Sequence, residues 1–275
     1  MKTAIPFVKM SGTGNDFIMI DNRAGLLKEG DAPLLAKAAC PRRVSVGADG
    51  VILIEKPSKP GHDLRMRIFN ADGSEAEMCG NGSRCFAIFA AQIGAAGREQ
   101  KIDVIPGTLN AVVAPDGLSA RVQLSQPSRI EKKTAVKVFD DSVDLYFVNT
   151  GVPHAIQFVV DVSKIDIRKT GACIRYHDVF KPKGANANFA QLLGNNTIRI
   201  RTYERGVEDE TLACGTGATA AAIASAFAHG FRSPVKVLVA GGALTIHFEL
   251  NGDQASRPYL EGGVDTVYKG EYFWR

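Results

Sequence analysis

Met78-Cys79-Gly80-Asn81-Gly82 opens one apolar run and Ala213-Cys214-Gly215-Thr216-Gly217 opens another, and the likeness of the two decides how the whole chain is read. Each is a Cys-Gly-x-Gly at the head of a predicted helix, over 82–93 and 217–228, and each helix stops near a glycine, Gly94 and Gly230, as helix ends often do. The second helix is mostly Ala with Ile223 and Phe227; lacking a polar face, it should be buried on all sides. The two cysteines stand 135 positions apart, about half of a 275-residue chain. The echo extends upstream. Arg67-Ile68-Phe69-Asn70 precedes Cys79 as Arg201-Thr202-Tyr203-Glu204 precedes Cys214, with Gly73 and Gly206 between. Ser11-Gly12-Thr13-Gly14-Asn15-Asp16-Phe17 parallels Asn149-Thr150-Gly151-Val152-Pro153-His154-Ala155, each leading into a strand expected to end in Asp (Asp21, Asp161). The pattern is that of two copies of one α/β unit, each a strand-rich half around one buried helix.

Most of the remaining chain reads as short strands broken by Gly, Pro and Asp: 17–21, 51–55, 64–70, 118–124, 146–149, 155–161, 197–203, 235–240 and 244–250. Shorter helices are expected over 33–40 and 162–176, and the link between halves within 124–134, which carries Pro127. The helix starts are expected to meet between the halves.

Composition narrows the function. The chain is 45% apolar and 23% charged with net charge +4, ordinary for a globular protein. Its scattered basic residues give no footprint for nucleic acid. No apolar stretch approaches the ~20 residues of a membrane helix. The N-terminus has no signal-peptide core. The five cysteines (Cys40, Cys79, Cys85, Cys173, Cys214) form no secreted-scaffold pattern, so thiols in a reducing cytoplasm are the expectation.

A helix start offers free N–H groups and partial positive charge, which favours a thiolate placed there. Cys79 and Cys214 are therefore candidate proton-transfer groups, and the glycines beside them would let a carboxylate approach the backbone amides. Cys40, Cys85 and Cys173 read as small core residues. Gly215-Thr216-Gly217-Ala218-Thr219-Ala220 also matches a dinucleotide fingerprint, but acids rather than a strand precede it and 235–240 holds no acid. No Walker sequence is present. Cys79 and Cys85 lie six apart without a zinc spacing, and no lysine stands out for a Schiff base. His154, opposite Asn15 in the duplication, and Glu204-Arg205, opposite Asn70-Ala71, are candidate site residues. Asn186 and Asn188 are either turn asparagines or amide donors. Glu208-Asp209-Glu210 reads as a solvated loop.

Gly14-Asn15-Asp16-Phe17, Phe69-Asn70-Ala71-Asp72-Gly73-Ser74-Glu75, Met78-Cys79-Gly80-Asn81-Gly82, Pro153-His154, Tyr203-Glu204-Arg205-Gly206 and Ala213-Cys214-Gly215-Thr216-Gly217 together resemble the diaminopimelate epimerase family, in order along nearly the full chain. The resemblance implies an α/β (α+β) fold of two pseudo-symmetric domains, each a mixed β-barrel-like sheet around a central helix. The domains would be 1–124, with a C-terminal strand at about 265–275 returning to it, and 125–264. It implies interconversion of LL- and meso-diaminopimelate without cofactor or metal, in a cytoplasmic homodimer. Cys79 would deprotonate the LL isomer and Cys214 the meso isomer; His154 and Glu204 would tune the thiols; Asn15, Asn70, Gly80, Asn81, Asn186, Glu204, Arg205, Gly215 and Thr216 would bind substrate. Val152 and Gly50 depart from the family's frequent Asn and Gln. The readings set beside this one are racemisation of another amino acid such as histidine, a thiol redox sensor using the same two cysteines, and a non-catalytic amino-acid-binding protein.

Overall fold

The computed structural model describes residues 3–274, which divide into two compact units, one formed by the described residues up to 122 together with those from 262 onward, the other by 123–261. Unit 1 contains β1 (Thr3–Gly12), β2 (Asn15–Asp21), α1 (Asp31–Ala39), β3 (Gly50–Glu55), β4 (Leu64–Asn70), β5 (Glu75–Ala76), α2 (Gly80–Gln92), β6 (Glu99–Val104), β7 (Gly107–Val113) and β8 (Ser119–Gln123). Unit 2 continues with β9 (Glu131–Val138), β10 (Asp141–Asn149), β11 (Pro153–Phe158), α3 (Ile167–Arg175), β12 (Asn186–Gly194), β13 (Thr197–Glu204), β14 (Asp209–Thr211), α4 (Gly215–His229), β15 (Val235–Val239), β16 (Gly242–Asn251) and β17 (Gln254–Gly263). The chain then returns to unit 1 as β18 (Asp265–Trp274), antiparallel to β1 with Ile5 opposite Tyr272.

The duplication seen in sequence is repeated strand by strand. In unit 1, β1 and β2 form a hairpin, β2 runs parallel to β3 across the α1 crossover, β3 pairs antiparallel with β4, and β4 runs parallel to β6 across the α2 crossover. In unit 2 the same sequence of pairings joins β10 to β11, β11 to β12 across α3, β12 to β13, and β13 to β15 across α4. Parallel neighbours need a helical crossover, so the two helices of each half are a consequence of its two parallel pairs.

The strands between the helices are buried on both faces, which is why they read as unbroken apolar runs. In β2, Ile18 and Ile20 join Val51 and Leu53 in a core beneath α1, with Leu35 and Ala36. The alternate residue Phe17 and Ile52 of β3 instead lie against the first turn of α2, since a side chain on Gly82 would meet both. The second half follows suit, with Leu145, Ala187 and Phe189 packed on Ile167 and Ile174 of α3. On the other side is α4, whose residues Ala218 to Ala226 are all buried. Alanine is the strongest helix former and its small side chain lets strands approach. Gly230 ends α4 at φ 70°, with its N–H on Ala226 and that of Phe231 on Ser225, a glycine-dependent left-handed stop.

Several expectations are corrected. The long helices start at Gly80 and Gly215, two residues early, so that each cysteine is the cap. The helix expected over 162–176 is two pieces, because Asp166 leaves the helical region and caps α3 by accepting the Lys169 N–H. Asp161 does not end a strand: β11 stops at Phe158, and Asp161 caps a short 3-10 turn over Val162–Lys164. No strand was expected over β5, β6, β7, β9, β12, β14 or β17.

Candidate active site

In unit 1, Cys79 caps α2 from an extended conformation (φ −141°, ψ 116°), and its Sγ receives the Gly82 N–H at 3.5 Å. The first turn of α2 contains no acid, so the positive end of the helix is left for an outside anion. Gly82 packs closely, since a Cβ there would stand 2.9 Å from Ile52 Cδ1 and 3.5 Å from Cys79 Cβ. Gly80 and Asn81 supply the turn. Asn81 is buried and donates from Nδ2 to Asn15 Oδ1 at 2.7 Å. Asn15 in turn donates to Asp49 Oδ2 at 3.0 Å. Behind it lies an ion cluster: Arg42 bridges Asp16 and Asp49, and the buried Lys9 donates to the Gly47 carbonyl and pairs with Asp16 at 2.7 Å. Burial is the largest influence on Asp16 and pushes its carboxyl up, but hydrogen bonds from Arg42 and Lys9 outweigh it and lower it to about 2. The amide of Asn15 is thus held from both ends. Asn70, exposed at the end of β4, donates to Ser74 Oγ at 2.9 Å.

In unit 2, Cys214 caps α4 in the same conformation (φ −121°, ψ 106°), again ahead of an acid-free turn. Its Sγ lies 3.5 Å from Thr216 Oγ1, and its thiol also hydrogen-bonds Glu204. Glu204 ends β13 and accepts from Thr211 Oγ1 at 2.9 Å; burial raises its carboxyl, only partly offset by the hydrogen bonds from Thr211 and Cys214. Gly215 precedes Thr216, whose carbonyl accepts from Thr150 Oγ1 at 3.0 Å. His154 is fully buried in β11; burial, reinforced by the charge of Arg205, pushes it down to about 3. The imidazole is therefore neutral, and since Asn188 Nδ2 donates to its Nδ1 at 3.1 Å, the proton is assigned to Nε2, a buried atom with no hydrogen-bond partner. Asn186 sits opposite His154 in the strand register, and its Oδ1 accepts the Arg205 N–H at 2.6 Å.

Asn188 is the residue whose sequence context fits two roles. It lies inside β12, buried, rather than in a turn. It shares its two amide hydrogens among His154 Nδ1 and the Ala155 and Asn186 carbonyls and accepts from Thr202 Oγ1 at 2.9 Å. A Cβ on Gly217 would fall 2.5 Å from its Oδ1 and 3.3 Å from Cys214 Sγ. Three readings change. The hairpin closures Gly12–Asn15 and Asn149–Pro153 put His154 opposite Asp16, not Asn15, in the duplication. The acids 208–210 are not merely solvated: Glu208 pairs with Arg175, Asp209 with Arg168 and Glu210 with Arg201. The last pair reproduces Arg67 with Glu75 four residues before the other cysteine. Finally, Gly50 has no room for a side chain, since a Cβ would stand 2.6 Å from the Phe69 carbonyl oxygen.

Among the described residues no group of three or more His, Cys, Asp or Glu is placed to hold a metal ion, and no helix is long and apolar enough to cross a membrane.

A duplicated α/β frame with a cysteine capping the central helix of each half defines a class of two-thiol proteins. The chain matches the diaminopimelate epimerase family over residues 7–130 and 146–267. It is 44% identical to the diaminopimelate epimerase of Aquifex aeolicus (strain VF5), over 96% of each chain, and 42% identical to that of Methanocella arvoryzae, over 98% of this chain and 97% of the relative. The protein belongs to the diaminopimelate epimerase family. Its fold is shared more widely: a phenazine biosynthesis protein of the PhzF family from Bacillus anthracis superposes with a TM-score of 0.75 at 14% identity, over 98% of this chain and 99% of that one.

Proposed function

We propose that the protein is an isomerase that epimerises LL-2,6-diaminopimelate to the meso isomer, a step serving lysine and peptidoglycan-precursor biosynthesis, with Cys79 and Cys214 as its acid–base pair. What carries the reading is the pair of cysteines at equivalent helix caps in a member of this family.

An amino-acid α-hydrogen is a very weak acid, and without an electron sink the carbanion must be stabilised through its carboxylate. The first-turn amides around Gly80-Asn81 and Gly215-Thr216 are suited to that task because no acid competes for them. Inversion needs a base on one face of the carbon and an acid on the other. The Cys79 thiolate takes the α-proton of the LL isomer and becomes a thiol; the Cys214 thiol delivers its own proton to the opposite face and becomes a thiolate. Charge and protons balance, and the meso isomer runs the sequence backwards. Glu204 tunes Cys214 by accepting its hydrogen bond. His154, neutral, offers an Nε2–H without bringing in positive charge. Arg205 takes the distal carboxylate bidentately and Glu204 the distal ammonium, while Asn15, Asn70 and Asn186 supply amide contacts. The active form is a homodimer in the cytoplasm.

The test is incubation of the reduced protein with LL-diaminopimelate in D2O, without added cofactor. One deuterium should enter at the inverted carbon. Cys79→Ala and Cys214→Ala should each slow epimerisation by about 10²–10⁴-fold, the usual worth of a positioned acid or base. Turnover at the parent's rate by either variant would reject the two-thiol assignment.

A further inference from the structure

Arg84 is the least expected charge in the molecule. It lies in the second turn of α2, whose residues from Asn81 to Ala90 are all buried, and is itself wholly inaccessible to solvent. Its side chain runs back toward the helix start, donating from Nη1 to the Gly80 carbonyl at 3.3 Å and from Nη2 to Thr13 Oγ1 at 2.6 Å, while Nε has no hydrogen-bond partner. Both acceptors are neutral, and no carboxylate lies within ion-pair distance among the described residues. A buried cation without a counter-ion costs several kcal/mol, and a cation near the positive end of a helix costs more. Arginine cannot escape by losing its proton. An anion must therefore balance it.

The groups that act on this end of α2 are few. The guanidinium grips the carbonyl of Gly80, the residue next to Cys79, and a side chain on Gly12 would meet both its Nη2 and the Cys85 sulfur, so these two thiols are the groups whose charge bears on it, with Asp265 at the start of β18 bearing on Cys85. Asp16, on the neighbouring β1–β2 hairpin, is already neutralised by Lys9 and Arg42. Cys85 cannot supply the anion, because full burial pushes its thiol up to about 12. Cys79 can: it is only half-buried and already receives the Gly82 N–H. The other half has no such arrangement. Counting five residues on from Cys214 reaches Thr219, whose hydroxyl merely donates to the Gly215 carbonyl at 2.9 Å, and Cys214 instead gives its own proton to a hydrogen bond with Glu204.

We propose that Arg84 is a positioning residue that holds Cys79 as the thiolate of the resting protein, leaving Cys214 as the resting thiol, so that the pair begins with its proton on the second half. This rests on the reading of Cys79 as an acid–base group, but its test does not require turnover. The rate of iodoacetamide alkylation at Cys79 and Cys214 is followed by peptide mass spectrometry from pH 5 to pH 10, in the parent and in Arg84→Met, Arg84→Gln and Arg84→Lys, with far-UV circular dichroism to establish folding. The parent's Cys79 should titrate well below an ordinary thiol at ~8.5. Either neutral variant should raise that midpoint by about one pH unit or more, a tenfold loss of thiolate near neutrality, while Cys214 keeps its profile. Arg84→Lys should restore most of the shift.

A parent midpoint at or above ~8.5 would overturn the proposal without any variant folding. So would folded neutral variants with the parent's midpoint, or a lysine variant shifted as far as they are. If Cys79 follows the charge at position 84 while D2O exchange fails, the epimerase chemistry falls and this inference stands. If exchange proceeds while Cys79 ignores that charge, the epimerase chemistry stands and this inference falls.

Discussion

His154 shows how one residue can register its surroundings through stability as well as chemistry. Its folded value of about 3 lies below the ordinary 6.5 because burial penalises the imidazolium. The unfolded chain takes up the proton first as pH falls, so the native state loses stability from about pH 6.5 down to pH 3 and keeps it in full above that window, with a slope of up to about 1.4 kcal/mol per pH unit for one proton. Urea midpoints between pH 7 and pH 4 should therefore fall for the parent and fall less for His154→Gln. The residual slope comes from His229, which partial burial also pushes down, and, toward pH 4, from carboxylates held low in the fold such as Glu75 and Asp16, the latter losing its contribution from its ordinary 3.8 down to about 2. At this scale the two cysteines were legible because each repeats the other's neighbours. Arg84 was not, since an arginine among apolar residues reads as an exposed face until the chain folds over it. Asn188 was ambiguous for a related reason. Gly184-Ala185-Asn186-Ala187-Asn188 has a turn's composition, and only strand pairing with His154 and Ile156 makes its asparagines interior groups.

The central helices were recognisable as elements from their apolar runs, but their first turns were not, because glycines weaken a helix pattern at the point where these helices need them. The two caps also differ in tolerance. At Gly82 an added methyl meets the end of the Ile52 side chain, whereas at Gly217 it meets the Asn188 amide, fixed by its hydrogen bonds, and the Cys214 sulfur. Gly217→Ala should cost about 1–3 kcal/mol as an overpacked core position and cut kcat at least tenfold. Gly82→Ala should be milder in both, a difference that thermal melts and initial rates will resolve. Among the missed strands, β6 shows one cause. β6, Glu-Gln-Lys-Ile-Asp-Val, buries Gln100 and Asp103 as well as Ile102. Gln100 satisfies the Ala87 and Gly97 carbonyls, and Asp103 takes Lys59 and Ser58. Buried polar residues with partners at a distance blur the alternation by which a strand is read.

At the scale of the molecule, unit 2 is one continuous segment, 123–261, whereas unit 1 is assembled from both sides of it. Expressed alone, 123–261 should give a soluble product with a cooperative urea transition. A chain stopped at 264 should leave unit 1 protease-sensitive, because β1 loses every partner from Thr3 to Ser11 along β18. Aggregation of the first, or a protease resistance of unit 1 in the second equal to that of the full chain, would contradict this division. The order of the pieces also has a consequence for synthesis. On the ribosome, β1 and β2 emerge early, but the strand that flanks β1 is translated only after all of 123–261. Through that interval the nascent β1 presents open amides and carbonyls to any extended chain nearby. The half made later is thus the first whose own strands are all in hand when its last residue emerges.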